Sequence, residues 1–436
     1  MKIILVLLDG LGDRSYVRFG NQTPLQVAHT PNLNRLAGIG SNGCFHASVC
    51  GECLPSEMAH YLLFGYSRPS FPGRGLLEAV GEGIPFRNDD VVALAHLSYI
   101  KWQGSEPILV DKRPAMPDGD LAALLSAVGT ARCGGCDFRL HPTRGHDGLL
   151  RIRGEVSAHV SDSDPMMPGQ PMARIHPLDG NPEPMRAART ADALNAYLTH
   201  CHTVLENHAV NRSRQAKGLA VGNFLATQRC GKRVAQYPFD EKWGMKGRVI
   251  ASGAVYGGLA QELGLAFERA VDTSAPGEDL GRRVQMALDD ETHEFVHVHT
   301  KVPDEAAHTG DPENKRLAIG DLDHGLRPLV DAVSTGRDDL VVAVTADHST
   351  PSVSKLIHSG EPVPLTLVGR HVRRDKVTSF DEISAAKGCL GFLRGRELML
   401  MLLNYADRSA LVGHCLDGRS RPYMPRRYPP FEPVVD

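Results

Sequence analysis

Residues 339–351 have the sequence DLVVAVTADHSTP, in which a short apolar run ends on two polar residues. Leu340–Val344 contains β-branched and apolar residues, which is typical of a strand buried on both faces of a parallel sheet. Asp347 and His348 follow this strand, and ligands bind at the carboxyl ends of the strands in open α/β sheets. The stretch therefore predicts an α/β fold with a ligand site at this edge of the sheet. A simple capped turn would also explain the dipeptide taken alone.

Composition excludes several classes of protein. The chain has 436 residues, enough for more than one domain, and its net charge of −3 gives no sign of a nucleic-acid or membrane surface. The apolar Met1–Leu8 segment ends at Asp9 and is too short for a membrane span. Nine irregularly spaced cysteines do not form the pattern of a disulfide framework, so we expect a cytoplasmic protein.

Two further predicted strands are followed by residues that commonly bind metal ions. Lys2–Leu8 has the pattern of a buried strand, and Asp9 follows it directly. Glu294–His299 is a second such strand, and Asp304 and His308 come shortly after it. These two residues are four apart, so on a helix they face the same way and can bind one ion.

Ser56 lies where a helix is predicted to begin, directly after Pro55. The exposed N–H groups and the positive dipole end of a helix favour an anion, either an ionised serine oxygen or a phosphoryl group. A plain N-cap is the alternative interpretation of this serine. Arg74, between glycines in the following Gly73–Gly83 segment, is a second candidate contact for an anion.

The character of the sequence changes near Arg87. Several short strand-like runs, a Pro-rich segment and a helix predicted over 188–205 follow. We interpret residues 88–235 as an inserted α+β domain, and residues 1–87 with 236–418 as a discontinuous α/β core whose mainly parallel sheet is flanked by helices. The Pro- and Arg-rich residues 419–436 are predicted to form an extended arm on the surface or on a partner subunit.

Seven residues from distant segments supply possible ligands for two metal ions. They are Asp9, Ser56, Asp304, His308, Asp347, His348 and His358. One ion would take Asp304, His308 and His358, and the other would take the remaining four residues. Two ions about 3.5–4 Å apart stabilise both the attacking and the leaving oxygen of a phosphoryl displacement. Mixed oxygen and nitrogen ligands suit Mn²⁺, Zn²⁺ or Co²⁺ better than Mg²⁺.

Nine motifs spread over the chain carry a family resemblance. They are LLDGLGD (7–13), TPLQVAHTPNLNRLAGIG (23–40), PSEMAH (55–60), GRGLLEAVGEGI (73–84), SDSDP (161–165), GMKG (244–247), VHTKVPDEAAH (298–308), TADHSTP (345–351) and HSGEPVP (358–364). With these motifs the sequence resembles the cofactor-independent phosphoglycerate mutases, archaeal type, of the alkaline phosphatase superfamily. The resemblance implies an alkaline-phosphatase-like core and an isomerase of glycolysis.

The resemblance also implies residue roles. Two divalent ions are expected as cofactors, with Mn²⁺ favoured and Zn²⁺, Co²⁺ or Mg²⁺ as alternatives. Ser56 would become transiently phosphorylated, and Lys246 would bridge the phosphate and the metal site. Arg214 of the Asn211–Arg214 segment would bind the substrate's phosphate or carboxylate, although a solvated basic helix end also explains that segment. The other expected substrate-binding residues are Arg212, Arg74 and Asn223.

Four segments depart from the family pattern, and one of them is a Gly-rich Thr-Gly-x-x-Asp-Thr segment that is not evident near Val271–Gly281. Pro55-Ser56-Glu57 stands where the family has Gly-Ser-Asp, Leu94-Ala95-His96 stands where it has Arg-Cys-Asn, and Asp147 replaces an arginine. The metal ligands are therefore intact, whereas the residues that bind the acceptor differ.

A phosphoglycerate mutase with a covalent Ser56 intermediate is the favoured function, acting on a small phosphorylated substrate. The alternatives are a homoserine-kinase-like phosphotransfer and the transfer of a phosphonoformyl group from a CMP-linked donor to 3-phosphoglycerate. A non-catalytic binding module is disfavoured because every ligand position is filled. A homo-oligomer is left as an open possibility.

Overall fold

The computed structural model describes residues 1–433, so the last three residues of the predicted arm lie outside the described residues. Two short 3₁₀ helices, Val17–Phe19 and Arg68–Ser70, accompany the α-helices and strands. The strands are β1 Lys2–Leu8, β2 Ser41–His46, β3 Val91–Gln103, β4 Glu106–Asp111, β5 Thr130–Cys133, β6 Cys136–Pro142, β7 Asp147–Arg153, β8 Phe224–Lys232, β9 Gly247–Ala251, β10 Ala266–Arg269, β11 Phe295–Thr300, β12 Leu340–Thr345, β13 Val363–Gly369 and β14 Gly391–Arg394.

The helices connect these strands and cover their sheets. They are α1 Pro24–Val27, α2 Pro31–Ile39, α3 Ser56–Leu63, α4 Arg74–Gly81, α5 Asp118–Ala127, α6 Pro184–Glu206, α7 Ala209–Ala216, α8 Phe239–Trp243, α9 Ala254–Glu262, α10 Pro276–Asp289, α11 Val302–His308, α12 Pro312–Gly325, α13 Arg327–Ser334, α14 Glu382–Ala385 and α15 Glu397–Tyr405. Within residues 1–433, no helix is both long and apolar enough to span a bilayer.

Contacts divide the chain into two compact units. The first unit joins Met1–Phe71 to the residues from Gln236 onward, and the second unit is Pro72–Ala235. Residues 72–87, which the sequence analysis assigned to the core, thus belong to the second unit. The reason is that α4 packs against β3 and β8 of that unit.

An eight-stranded sheet with the order β10-β9-β11-β1-β12-β13-β2-β14 forms the centre of the first unit. Its pairings are parallel except for the two that β13 makes with β12 and β2. Every residue of β11 and β12 is buried. This is expected for strands in the middle of a parallel sheet whose faces are covered by helices. The predicted α/β class with a mainly parallel sheet flanked by helices is confirmed.

The register of this sheet aligns the ends of its central strands. Leu8 at the end of β1 pairs with Thr300 at the end of β11, and Leu7 pairs with Thr345 at the end of β12. The loops that follow β1, β11 and β12 therefore start side by side at one edge. The candidate ligands near these three strand ends lie on neighbouring loops.

The second unit is an antiparallel six-stranded sheet with helices on it, as expected for an inserted α+β fold. Alternate residues of β3 face opposite sides, in keeping with the two-residue period of a strand. Val91 and Leu97 join the large core that includes residues of α5 and α6, while Val92 packs with Ala79 of α4 and Leu149.

Helices α12 and α13 follow each other directly and are separated by a break at Leu326. Pro328 has no N–H to donate to the carbonyl four residues earlier, so a continuous helix would lose a hydrogen bond there.

The arm has no helix or regular strand within residues 419–433, and Tyr423 fastens it to the first unit. The Tyr423 hydroxyl donates a 2.9 Å hydrogen bond to the carbonyl of Glu241. Its ring packs so closely on Gly244 that a Cβ there would lie 2.3 Å from a ring carbon.

Asp323 joins α12 to α2 and gives a test of the first unit's packing. Its buried carboxylate accepts the N–H groups of Asn32 and Leu33 at 3.0 and 2.8 Å, in the first turn of α2, where Thr30 provides no side-chain cap. Asp323→Ala should lower the free energy of unfolding by about 1.5–3 kcal/mol, because charged hydrogen bonds to otherwise unpaired N–H groups are lost. Urea denaturation measures this. Asp331→Ala is the control, since the exposed Asp331–Arg327 pair should contribute about 0.5 kcal/mol or less. Equal effects of both changes would contradict the expectation.

Candidate metal centre

The loops after β1 and β12, together with the start of α3, bring one group of predicted ligands together. Asp9, Asp347 and His348 each offer an atom within 4.8 Å of the others. His348 Nε2 lies 3.3 Å from Asp9 Oδ1 and 3.3 Å from Asp347 Oδ2. Ser56 Oγ is 3.4 Å from Asp9 Oδ1 and 3.0 Å from His348 Nε2. All four members of the predicted second ligand set thus meet at one place.

A second group forms around Asp304 at the first turn of α11. Asp304, His348 and His358 offer atoms within 4.8 Å of one another. His358 Nε2 and His308 Nε2 each lie 3.4 Å from Asp304 Oδ1. The rings of His348 and His358 stack with their centroids 3.8 Å apart, so the two groups adjoin through these histidines.

Charge and burial in the two groups fit divalent cations. Asp9, Asp304 and Asp347 are at most 1% exposed, and three buried carboxylates this close repel one another unless cations lie between them. Asp347 Oδ2 is buried and has no hydrogen-bond partner among the described residues. An unused carboxylate oxygen beside the His348 imidazole is a ligand that Mn²⁺, Zn²⁺ or Co²⁺ would take.

Two carboxylates of the centre, Asp9 and Asp304, are held in the ionised form that metal binding requires. Burial alone would raise the pKa of Asp9, but the Lys301 cation and a hydrogen bond from His299 hold it well below its usual value. Burial likewise opposes ionisation of Asp304, whereas His308 and His358 lower the pKa of this carboxyl. Burial lowers the pKa of His348, which favours the neutral imidazole that a metal ion binds.

Ser56 is the first residue of α3, as predicted, and it is 5% exposed. Its side chain does not cap the helix, so the interpretation as a plain N-cap is not supported. The hydroxyl instead points to Asp9 and His348, while the serine carbonyl is 2.8 Å from His60 Nδ1.

Three residues that the sequence analysis missed fix the orientation of the ligands. The Tyr256 hydroxyl donates to Asp9 Oδ2 at 2.7 Å, and His299 Nε2 lies 3.0 Å from the same oxygen. Asp9 Oδ1 is thereby left to face Ser56. Thr350 donates its hydroxyl to Asp304 Oδ1 at 2.8 Å. His299 and Thr350 are inside quoted motifs, but no signal in the sequence points to Tyr256.

Lys246 is not at this centre, so its predicted catalytic role is contradicted. It precedes β9, and its N–H donates to Glu294, which precedes β11. The ligand loops follow the other end of β11, roughly 16 Å away for five residues at about 3.3 Å each. The lysine that does reach the centre is Lys301, whose Nζ is 3.4 Å from Asp304 Oδ2.

Two of the predicted substrate-binding residues have structural partners in the second unit. The Arg214 guanidinium donates to the carbonyls of Ala220 and Ala115 and to Asp120. The Asn223 side chain pairs with both backbone groups of Ile100 and is 5% exposed. These two side chains fasten loops together, so the structure does not support their assignment to substrate binding.

A cavity of about 500 Å³ in the second unit contains the remaining candidate, Arg74. Arg212 and Arg214 are not among the lining residues. The other arginines of the cavity, which the sequence analysis did not single out, are Arg113, Arg144 and Arg229. Leu94, His96 and Asp147, which depart from the family pattern, line the same cavity.

Charges in this cavity are partly paired. Arg74 bonds to Glu78 at 2.7 Å, and Arg113 bonds to Asp147 at 2.8 Å. Arg144 has no carboxylate partner within residues 1–433. Burial lowers the pKa of His96 to about 4, so its imidazole is neutral near pH 7.

Comparison with known proteins decides the family. A family model described as the metalloenzyme superfamily matches residues 1–405. The 2,3-bisphosphoglycerate-independent phosphoglycerate mutase 2 of Methanocaldococcus jannaschii is 38% identical over 434 residues, which is 98% of each chain. The chain belongs to this mutase family. A second member, from Methanopyrus kandleri, is 35% identical over 94% of this chain and 98% of its own length.

Solved structures agree with this assignment. The cofactor-independent phosphoglycerate mutase of Thermoplasma acidophilum has a TM-score of 0.61 and 32% identity, and the match covers 93% of this chain and all of that one. The PH0037 protein of Pyrococcus horikoshii has a TM-score of 0.74 and 25% identity, over 95% of this chain and 99% of the other. The family resemblance drawn from the motifs is confirmed.

Divalent cations should stabilise the first unit, because they relieve repulsion among the buried carboxylates. Adding Mn²⁺ to chelator-treated protein should raise the melting temperature; a ligand at 100 times its Kd contributes about 2.7 kcal/mol per site. Differential scanning calorimetry measures the shift. Asp347→Asn should lose most of this shift, while Asp338→Asn, which changes an exposed carboxylate, should keep it. A melting temperature that does not respond to Mn²⁺ would contradict the fit of this site to metal ions.

Proposed function

We propose that the chain is a metal-dependent phosphoglycerate mutase that interconverts 2- and 3-phosphoglycerate through a phosphorylated Ser56. The observation that carries this proposal is the position of Ser56 Oγ. It lies 3.4 Å from Asp9 Oδ1 and 3.0 Å from His348 Nε2, at the meeting point of the two candidate ligand groups. The names of the curated relatives favour the mutase over the homoserine-kinase-like and phosphonoformyl-transfer alternatives.

The local structure suits a serine nucleophile. Ser56 begins α3, where the N–H groups of the first turn and the helix dipole favour negative charge on the oxygen and on an incoming phosphoryl group. Two divalent ions bound by the Asp9 and Asp304 groups would supply charge neutralisation for the phosphoryl oxygens and lower the pKa of the serine hydroxyl. Mn²⁺ is our first choice, with Zn²⁺, Co²⁺ and Mg²⁺ as alternatives.

The proposed reaction consists of two phosphoryl transfers, the first from the substrate to Ser56 and the second from Ser56 back to glycerate. Ser56 Oγ forms a bond to phosphorus while the bond from phosphorus to the glycerate oxygen breaks, and the proton of the serine hydroxyl ends on that glycerate oxygen. The other glycerate hydroxyl then attacks the phosphorus of phosphoserine while the bond from phosphorus to Ser56 Oγ breaks. The proton of the attacking hydroxyl ends on Ser56 Oγ, and the isomeric phosphoglycerate is formed. No water enters, so the site must exclude it during both steps.

We assign the positive charge near the transferred group to Lys301. Its Nζ lies 3.4 Å from Asp304 Oδ2, at the end of β11 beside the candidate ions. A cation at this point is placed to pair with a phosphoryl oxygen, as the family lysine was expected to do.

The second unit has a cavity that suits an anionic group of a ligand. Arg144, with Arg74, Arg113 and Arg229, lines its cavity, and guanidinium groups suit carboxylates and phosphates. Because Asp147 is paired with Arg113, its charge does not stand alone against an anion. This set replaces the expectation that Arg214, Arg212 and Arg74 would be the chief donors to the substrate, and of those three it keeps Arg74.

Ser56→Ala should abolish the interconversion, because no other hydroxyl occupies its place between Asp9 and His348 among the described residues. Phosphorus NMR of 3-phosphoglycerate with Mn²⁺ measures turnover, and mass spectrometry of quenched wild type should find a phosphate on the Ser56 peptide. Ser334→Ala, an exposed serine of α13, should retain activity. Turnover by Ser56→Ala, or an adduct on another peptide, would overturn the assignment of the nucleophile. If wild type leaves phosphoglycerate unchanged but consumes a homoserine or CMP-linked substrate, an alternative function holds.

The substitutions Lys301→Met and Lys246→Met should show which of the two lysines contributes to catalysis. Removing a preorganised cation from the transferring group typically costs on the order of 10²–10³ in kcat, so Lys301→Met should lose about that much. Lys246→Met, which changes a residue at the opposite edge of the sheet, should stay within about twofold. Steady-state kinetics with saturating Mn²⁺ gives both values. The reverse order of effects would restore the catalytic role first expected for Lys246.

A further inference from the structure

Lys315 of α12 is a fully buried lysine that the proposed reaction does not use. Its Nζ donates to the carbonyl of Gly12 at 2.8 Å and to the carbonyl of Thr350 at 2.7 Å. It also lies 3.4 Å from Asp13 Oδ2. Burying an ammonium group is costly unless its partners satisfy it, and here each partner belongs to a loop that carries metal ligands.

The two carbonyls come from different ligand loops. Gly12 is three residues after Asp9, and Thr350 is two residues after His348. The N–H of Thr350 donates to the carbonyl of Gly12 at 2.9 Å, so the loops also bond to each other at this point. Gly12 passes so close that an added Cβ would lie 2.1 Å from Ser349 Oγ. Lys315 thus holds the loop after β1 against the loop after β12.

Thr350 carries this restraint to the ligands themselves. Its hydroxyl donates to Asp304 Oδ1 at 2.8 Å and is 3.2 Å from His348 Nδ1. Asp304 belongs to one candidate ion group, and His348 belongs to both. The hydrogen bond from Lys315 to the Thr350 carbonyl therefore fixes the position of Thr350. The side chain of Thr350 in turn orients Asp304 and His348, so both ligand groups are affected.

Asp13, the counter-ion of Lys315, is held in place by its own hydrogen bonds. Asp13 accepts hydrogen bonds from the hydroxyls of Ser352 at 2.6 Å and Tyr16 at 2.7 Å, and its N–H donates to the partly buried Glu382 at 3.2 Å. Burial raises the pKa of Glu382 to about 7. Burial also lowers the pKa of Lys315, against the carboxylate of Asp13. Charged or neutral, the amine can donate to both carbonyls.

We propose that Lys315 is a positioning residue for the metal centre, which joins the loops after β1 and β12 and, through Thr350, fixes Asp304 and His348. The proposal rests on the metal role that the proposed function gives to these ligands. Without the amine, the buried Thr350 carbonyl loses its donor, and the Gly12 carbonyl and the Asp13 carboxylate each lose one of their partners, so the two loops are held together less firmly. The ligands then lose the spacing that two ions need.

The test measures metal binding directly rather than turnover. Lys315→Met keeps the length of the side chain and removes its donors, and Mn²⁺ titration followed by electron paramagnetic resonance gives the Kd of each site. We expect about 10- to 100-fold weaker Mn²⁺ binding, the usual effect of removing a residue that orients metal ligands. The matched control is Lys2→Met, because Lys2 Nζ also donates to two carbonyls, those of Ala287 and Leu288, but at the opposite end of β1. Its Mn²⁺ affinity should stay within about twofold of wild type.

Thr350→Val provides a second variant that keeps the shape of the side chain and removes only the hydroxyl. It should weaken Mn²⁺ binding in the same direction, and it decides the question if Lys315→Met does not fold. Wild-type affinity in Thr350→Val, or equal losses in Lys315→Met and Lys2→Met, would overturn the positioning role. A wild-type protein that binds no Mn²⁺ would instead contradict the proposed function, so the two failures are distinguishable.

Discussion

Mutual repulsion among Asp9, Asp304 and Asp347 is the constraint on which the centre depends. These buried carboxylates meet at one edge of the sheet, where water cannot screen their charges. Such an arrangement is stable only with cations between the carboxylates. Hydrogen bonds from Tyr256 and Thr350 orient the oxygens, and Lys301 supplies fixed positive charge. Lys301 is a single cation beside three carboxylates, so the centre is suited to bind further cations.

The parallel sheet explains why residues so distant in sequence converge. Because β11, β1 and β12 are adjacent and parallel, their carboxyl ends share one edge, and each contributes a loop to the centre. The same geometry excludes Lys246, which lies before β9 at the other edge. Whether a motif residue can take part in the chemistry depends on the end of the strand at which it lies.

Much of this arrangement could be predicted from the sequence. The buried strands have continuous apolar runs, and aspartates and histidines after them are the residues that parallel strand ends bring together. The sequence could not separate Lys301 from Lys246, because both are lysines in quoted motifs and only the sheet register shows their edges. It also could not show that the Arg214 guanidinium donates hydrogen bonds to loop carbonyls, because no sequence pattern links Arg214 to residues 115 and 220. Tyr256 reaches Asp9 by tertiary packing that no local pattern records.

Anomalous diffraction from crystals grown with Mn²⁺ tests the central claim most directly. The account predicts two strong peaks per chain. One should lie among Asp304, His308 and His358, and the other among Asp9, Ser56, Asp347 and His348. A spacing of about 3.5–4 Å between the ions would match a two-metal phosphoryl-transfer site. A map with no peak at these ligands, or with its peaks at the opposite edge of the sheet, would contradict the account.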